Sequence, residues 1–291
     1  MLDRSRKTTY LSGMNKLPIE KRKQIVQLLV EGMSLRAASR ISDVSRTTIQ
    51  KLLVDVGKAS IKLHDEKVVN ISSNRIQCDE IWSFVYAKEK NKPTGMEDAG
   101  DVWTWTAIDA DTKLILSWYA GHRDADSANE FMNDVSNRLT NRVQLTTDGL
   151  NIYLEAVADS FGSQIDYAQL QKIYGKEGST ANSEKKYSPA ECIGCKKRVV
   201  SGNPDPEHIS TSYVERQNLT MRMHMRRFTR LTNAFSKKVE NHIYAIALYF
   251  VYYNFVKIHS TLRVPPAMEA GLIKRLMTIE DIVRLTDPES V

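Results

Sequence analysis

Three carboxylates occupy positions from which they could bind metal ions. Asp79 lies in an apolar segment, Asp148 lies at the end of another, and Glu215 opens a segment with helical spacing. Three carboxylates on adjacent strands and a helix can bind two Mg²⁺ or Mn²⁺ ions, because these hard cations prefer oxygen ligands. A two-metal site stabilises the attacking and the leaving oxygen of an in-line phosphoryl displacement. The pattern predicts that Asp79, Asp148 and Glu215 are catalytic metal ligands.

Other acidic residues close to these positions have structural interpretations. Glu80 follows Asp79 directly, and the alternation of side chains along a strand places it on the opposite face. Asp109 and Asp111 flank Ala110 between two strand-like segments. Because Asp is favoured in turns, we expect both to stabilise a hairpin turn.

A series of basic residues follows Glu215, with no acidic residue between positions 216 and 238. Steps of seven and eleven residues from Glu215 reach Arg222 and Arg226, which one continuous helix would place on the same face. Arginines beside a metal site suit DNA phosphates. The alternative is a solvated basic helix face. The predicted DNA-binding residues of this segment are Arg216, Arg222, Arg226, Arg227 and Arg230.

The elements that must position the three carboxylates predict a mixed sheet covered by helices. Segments rich in β-branched and aromatic residues predict strands, at residues 74–88, 103–110, 113–120, 143–147 and 165–173. Apolar residues at helical spacing predict helices over 127–139 and 151–161. Three strands followed by alternating helices and strands favour an α/β fold. Residues 175–210 lose this periodicity, which predicts a loop-like insertion.

The N-terminal segment predicts a small all-α DNA-binding domain. Residues 17–30 and 35–41 have helical spacing, and Ser45 can cap a further helix. Short helices joined by a tight turn are typical of a helix-turn-helix. The alternative is a plain helical bundle with a basic surface. The residues that this last helix would offer to bases and phosphates are Arg46, Thr47, Thr48, Gln50 and Lys51.

The net charge of +6 over 291 residues is unevenly distributed. Residues 1–70 carry +7, residues 71–214 carry −6, and residues 215–291 carry +5. Basic segments suit a polyanion, and an acidic centre suits metal binding. The length suggests about two domains. We predict a helix-turn-helix domain over 1–70, a catalytic domain over 71–270, and a C-terminal tail over 271–291.

The composition also bears on where the protein acts. The segment at 243–256 is apolar nearly throughout, and its length of 14 residues favours a buried helix over a membrane span. Three cysteines do not form a disulfide framework, which is typical of a reducing cytoplasm. Cys192 and Cys195 form a single C-x-x-C, whereas structural zinc needs four ligands, so we interpret them as two separate thiols. We expect no membrane association.

Five motifs follow one another along the chain. They are D-E-I-W at 79–82, W-T-A-I-D-A-D-T-K-L-I-L-S-W at 105–118, T-D-G at 147–149, S-Y-V-E-R-Q-N at 212–218, and Y-Y-N-F-V-K-I-H-S-T-L-R-V-P-P-A-M at 252–268. In this order they resemble the DDE transposases of bacterial insertion sequences, most closely the IS-one type. The resemblance covers roughly residues 70–270. The chain differs from the family in two ways. It lacks the cysteine cluster that the best-known IS-one enzymes carry ahead of the helix-turn-helix, and its stretch between Asp148 and Glu215 is longer than in the compact members.

The resemblance implies an RNase H-like fold with Mg²⁺-dependent strand cleavage and strand transfer, and its catalytic acids map onto Asp79, Asp148 and Glu215. It implies double-stranded DNA as the partner, both as terminal inverted repeats and as target DNA. Because two ends must be joined, we expect a homodimer or a higher oligomer on DNA, at the nucleoid of a prokaryotic cytoplasm. One alternative is a sequence-specific DNA-binding regulator on an inactive nuclease-like scaffold. Another is a tyrosine recombinase, which the 12 tyrosines favour superficially.

Overall fold

The first elements of the computed structural model, which describes residues 16–174, 192–229 and 234–287, are three helices. They are α1 (Ile19–Val30), α2 (Leu35–Ser42) and α3 (Arg46–Lys67). The side chains of Ser34 and Ser45 cap α2 and α3 by accepting hydrogen bonds from backbone N–H groups. Asp43, at φ 54°, makes the sharp turn between these two helices.

Helix α3 extends well beyond Lys51, the last of its residues predicted to contact bases and phosphates. It continues because its apolar spacing persists through Val56 and Leu63, both of which are buried. At Gly57 the backbone lies so close to Tyr244 that an added Cβ would be 2.3 Å from the Tyr244 Cβ. One hydrophobic cluster extends from the N-terminal helices into the sheet, through Val68 and Ile71. This cluster contains residues on both sides of the predicted domain boundary at residue 70, and the boundary stays a prediction.

Within the described ranges, six strands form one mixed sheet with the order β3-β2-β1-β4-β5-β6. Strands β1, β2 and β3 are antiparallel neighbours, β1, β4 and β5 are parallel neighbours, and β6 pairs antiparallel with β5. Their bounds are Arg75–Val85, Gly100–Asp109, Ile115–Gly121, Val143–Asp148, Ile165–Tyr174 and Cys192–Ser201. This arrangement, with helices on both faces, is an RNase H-like α/β fold, as the sequence predicts.

Helices cover the two faces of the sheet. Helices α4 (Ala125–Arg138) and α5 (Ile152–Phe161) cover the face to which Cys78 and Trp105 point. Helices α6 (Ser212–His224) and α7 (Val239–Val251) cover the face to which Ile81 points. After α7 come a five-residue π-helical segment and two short helices, α8 (Pro266–Glu269) and α9 (Ile279–Arg284). Asp287, near the end of the described chain, accepts a 2.8 Å hydrogen bond from Arg22 on α1.

The structure corrects two sequence-based expectations. Within the predicted loop-like insertion, Cys192–Ser201 is an edge strand. It has no alternating pattern because nearly all of its residues are exposed, so that backbone pairing with β5 defines it. The second correction concerns α6, which ends at His224, since the backbone at Met225 is extended. Arg226 therefore lies on a separate 3-10 turn and not on the helix of Glu215.

Other expectations agree with the structure. Asp109 Oδ1 accepts hydrogen bonds from the backbone N–H groups of Asp111 and Thr112, at 2.7 and 2.8 Å, and so stabilises the β2–β3 turn. The predicted apolar helix over 243–256 is buried along most of its length. In the part of the chain that the structure describes, no helix combines the length and apolar character needed to cross a membrane.

Candidate active site

The pairing of two parallel strands brings Asp79 and Asp148 together. Cys78 on β1 lies opposite Thr147 on β4, so the next residues in register are the two aspartates. Asp148 is the last residue of its strand, and ligands of α/β sheets gather at this end of parallel strands. Since both residues follow buried neighbours that point to the α5 face, both aspartates point to the α6 face.

Among the described residues, Asp79, Glu80 and Asp148 form a group of possible metal ligands. One carboxylate oxygen from each residue lies within 4.8 Å of the others. Burial and the negative charges of Glu80 and Asp148 raise the pKa of Asp79 to about 8. Burial also raises the pKa of Asp148 and of Glu80. The cluster thus concentrates negative charge where water stabilises it poorly.

Glu80 is held from the α5 face. Its side chain is only 2% exposed. Its Oε1 accepts hydrogen bonds from Arg123 Nε and Nη2, at 2.8 and 2.6 Å. Its Oε2 accepts a 3.2 Å hydrogen bond from the hydroxyl of Tyr153. These contacts agree with the predicted placement of Glu80 on the face opposite to Asp79. One carboxylate oxygen of Glu80 nevertheless lies within 4.8 Å of oxygens of Asp79 and Asp148.

Helix α6 brings Glu215 to the same cavity, whose volume is about 510 Å³ and whose lining includes Asp79 and Asp148. The Glu215 carboxylate accepts a hydrogen bond of 2.5 Å from Thr211 Oγ1 and pairs with the ammonium of Lys172. It is not among the three carboxylates within 4.8 Å of one another. The three sequence-predicted acids therefore line one cavity.

The cluster and Glu215 fit hard divalent cations. All of the donor atoms are carboxylate oxygens, which are the ligands that Mg²⁺ and Mn²⁺ prefer. Asn218 Nδ2 donates a hydrogen bond of 2.8 Å to Asp79 Oδ2, which orients that carboxylate as a partner residue orients a metal ligand.

The predicted base- and phosphate-binding residues of the N-terminal helices lie on the first turns of α3. Arg46, Thr47, Gln50 and Lys51 are exposed, while Thr48 is partly buried against Ser45. These positions are accessible to a DNA duplex, and their role stays a prediction.

The arginines after Glu215 are less uniform than their spacing suggests. Arg216 is exposed on α6, Arg222 is partly buried, and Arg226 is exposed on the following turn. Arg227 donates a 2.8 Å hydrogen bond to the carbonyl oxygen of Asn241, and burial lowers its pKa to about 10. Arg230 lies outside the described residues.

Sequence reasoning missed four residues of the cavity region, namely Arg123, Lys172, Thr211 and Asn218. Arg123 follows β3 and lies 43 positions from Glu80, so only the fold reveals their contact. Asn218 is three residues after Glu215 on the same helix, a spacing that places two side chains on one face. Thr211 lies four residues before Glu215, so spacing along the chain is a local signal for both Asn218 and Thr211.

The chain was also compared with known proteins. No protein-family model matches it, and no curated protein matches it significantly. Among solved structures, a piggyBac transposase synaptic complex with hairpin DNA matches with a TM-score of 0.44 and 11% identity, over 92% of this chain and 69% of that chain. The Mos1 strand transfer complex matches with a TM-score of 0.24 and 11% identity, over 80% of this chain and 78% of that chain.

Proposed function

We propose that this protein is a DDE-type transposase of the bacterial insertion-sequence class, most similar to the IS-one type, that cleaves and transfers DNA strands at the ends of its element. The observation that carries the proposal is the register of β1 and β4. This register places Asp79 beside Asp148, the last residue of β4, in a cavity that Glu215 also lines. Three carboxylates around one cavity suit metal-assisted phosphoryl transfer.

Asp79, Asp148 and Glu215 would hold two Mg²⁺ or Mn²⁺ ions. When bound, such ions polarise phosphate oxygens and stabilise charge on the attacking and the leaving oxygen. Asn218 orients Asp79, while Thr211 and Lys172 hold Glu215. The nucleophile is water in cleavage and the freed 3′-hydroxyl in strand transfer, so the mechanism needs no covalent bond between protein and DNA.

The proposal assigns double-stranded DNA to two basic parts of the chain. The first turn of α3 would contact the terminal inverted repeats, as in a helix-turn-helix. Arg216, exposed on the helix that carries Glu215, would contact phosphates near the cavity. Because strand transfer joins two ends, a homodimer or higher oligomer would assemble on DNA, at the nucleoid in a prokaryotic cytoplasm.

The DNA that flanks the gene provides the substrate for a test. Short imperfect inverted repeats, bounded by a small direct duplication, would define the ends. A labelled duplex carrying one end is incubated with the full chain in Mg²⁺ or in EDTA. We expect a strand break at the end and joined products in Mg²⁺ alone. Specific binding without cleavage would overturn the proposal in favour of a DNA-binding regulator, and a covalent phosphotyrosyl adduct would favour a tyrosine recombinase.

A further inference from the structure

The guanidinium of Arg123 is fixed in the wall of the acid cavity. Nε and Nη2 both donate to Glu80 Oε1, and the guanidinium carbon lies 4.6 Å from the centroid of the Trp103 ring. Glu80 is in turn fixed by the Tyr153 hydroxyl. These contacts remove most of the rotational freedom of a long side chain before any ligand binds.

This arrangement leaves donors for a ligand. Arg123 lines the cavity together with Asp79 and Asp148, and its side chain is 39% exposed. Among the described residues, none accepts a hydrogen bond from Arg123 Nη1. A guanidinium has five N–H donors, and Glu80 uses those of only two nitrogens. A pairing that served only to neutralise Glu80 would not require an exposed guanidinium in the cavity wall.

The remaining donors suit a phosphate. A guanidinium binds phosphate oxygens through charge-assisted hydrogen bonds and keeps its charge at every pH of interest. The other charged groups that line the cavity are three carboxylates and Lys172, which pairs with Glu215. Arg123 is thus the cation next to Asp79 and Asp148 that is both fixed in place and provided with spare donors.

We propose that Arg123 donates hydrogen bonds to a non-bridging oxygen of the scissile phosphate, with Glu80 and Trp103 as positioning residues. The proposal rests on the proposed function, because it assumes that a DNA phosphate enters this cavity. The phosphoryl group gains negative charge on these oxygens as the attacking oxygen approaches, and a fixed cation stabilises that charge without reorganising.

A substitution in the protein is combined with a substitution in the DNA to test this contact. Arg123→Ala and the wild type are assayed on an end duplex and on the same duplex with a neutral methylphosphonate at the scissile position. On the phosphodiester we expect Arg123→Ala to slow cleavage by about 10²- to 10³-fold, as the loss of one transition-state donor does. On the methylphosphonate we expect a loss below about tenfold, since the charge that Arg123 contacts is absent. Equal losses on both substrates would overturn the proposal.

Two further variants separate this role from a structural one. Arg142 also donates two hydrogen bonds to one carboxylate, that of Asp166, and its side chain is 40% exposed, but it precedes β4 at the end remote from Asp148. Arg142→Ala should affect both substrates equally. If Arg123→Ala does not fold, Arg123→Lys takes its place in the test, because it keeps a cation beside Glu80. Because it lacks the guanidinium fork, we expect an intermediate loss that is again confined to the phosphodiester.

Binding distinguishes failure of this inference from failure of the proposed function. The affinities of both duplexes are measured in Ca²⁺, with and without Arg123→Ala. A selective loss of affinity for the phosphodiester supports the phosphate contact. If Arg123→Ala lowers the affinity for both duplexes by the same factor, or for neither, the phosphate contact is overturned even if the wild type cleaves DNA. If the wild type does not cleave DNA, the proposed function alone is overturned.

Discussion

The amide of Asn218 donates a 2.8 Å hydrogen bond to the carboxylate of Asp79 and so joins helix α6 to strand β1. Asn218 is only 4% exposed, and its Oδ1 is buried without a hydrogen-bond partner among the described residues. The contact connects the element that carries Glu215 to the strand that carries Asp79.

Replacing Asn218 with Ala removes the donor that orients Asp79. We expect the affinity for Mg²⁺ or Mn²⁺ to fall by about 10- to 100-fold, the usual effect of losing a partner of a metal ligand. Isothermal titration calorimetry measures this affinity. The control is Gln217→Ala, which removes an equally buried amide that donates to the Tyr249 hydroxyl at 3.4 Å. Equal metal affinities in the two variants would show that Asn218 has only a packing role.

The raised pKa of Asp79 predicts how the stability of the metal-free protein depends on pH. A carboxyl group whose pKa is raised on folding binds more protons in the folded protein, so stability falls as pH rises. For Asp79 this fall lies between about 4 and about 8, the values of its pKa before and after folding. The titration of Asp79 should contribute up to about 1.4 kcal/mol per pH unit to the slope. Denaturant unfolding at several pH values measures it.

Asp79→Asn tests the origin of this slope, because it removes the charge and keeps the shape of the side chain. Above pH 7 we expect the metal-free variant to be more stable than the wild type, although it should not cleave DNA. Asp159→Asn, at an exposed position on α5, should leave the slope unchanged. An Asp79→Asn variant with the wild-type slope would show that Asp79 does not titrate in this range.

The ion pair of Lys172 with Glu215 competes with a metal ion for the same carboxylate. Replacing Lys172 with Met should raise the affinity for Mg²⁺, by at most about fivefold, because a partly exposed ion pair contributes about 0–1 kcal/mol. Titration of Mg²⁺ followed by thermal unfolding measures the change. Lys197→Met is the matched control, since the Lys197 ammonium contacts the carbonyl oxygen of Pro206 instead. Weaker binding in Lys172→Met would mean that Lys172 holds Glu215 in place for the metal.

The exposed cations on the first turns of α3 should contact DNA phosphates. Each phosphate contact contributes about one unit to the slope of log affinity against log salt concentration. Lys51→Ala should therefore reduce that slope by about one for a duplex that carries the element end. Lys62→Ala, on the same helix beside Glu66, serves as the control. A slope that Lys51→Ala leaves unchanged would remove this residue from the predicted interface.

Local sequence pattern was sufficient to predict much of the fold. Alternation and turn residues located β1 to β5 within a few positions, because each of these strands has a buried face. Asp148 was identified because it ends a short strand, and parallel pairing then brings it to Asp79. Strand β6 was missed because exposed strands show no periodicity, and its stability depends on pairing with β5.

The site was predicted less completely than the fold. The contacts of Arg123 with Glu80 and of Asn218 with Asp79 join residues separated by 43 and 139 positions, so only tertiary packing brings them together. The end of α6 at His224 depends on an extended Met225 that is buried, with 6% exposure, among neighbours distant in sequence. No local pattern distinguishes that end from a helix that continues to Arg226.

The central claim is that Asp79, Asp148 and Glu215 act together on DNA through divalent cations. The direct measurement is the rate of Mg²⁺-dependent strand cleavage at an end duplex for Asp79→Asn, Asp148→Asn and Glu215→Gln, with Asp159→Asn as the surface control. We predict that each of the three variants loses at least about 10³-fold in rate while it still binds the duplex, and that the control keeps the wild-type rate. Wild-type cleavage by any of the three variants would contradict the account.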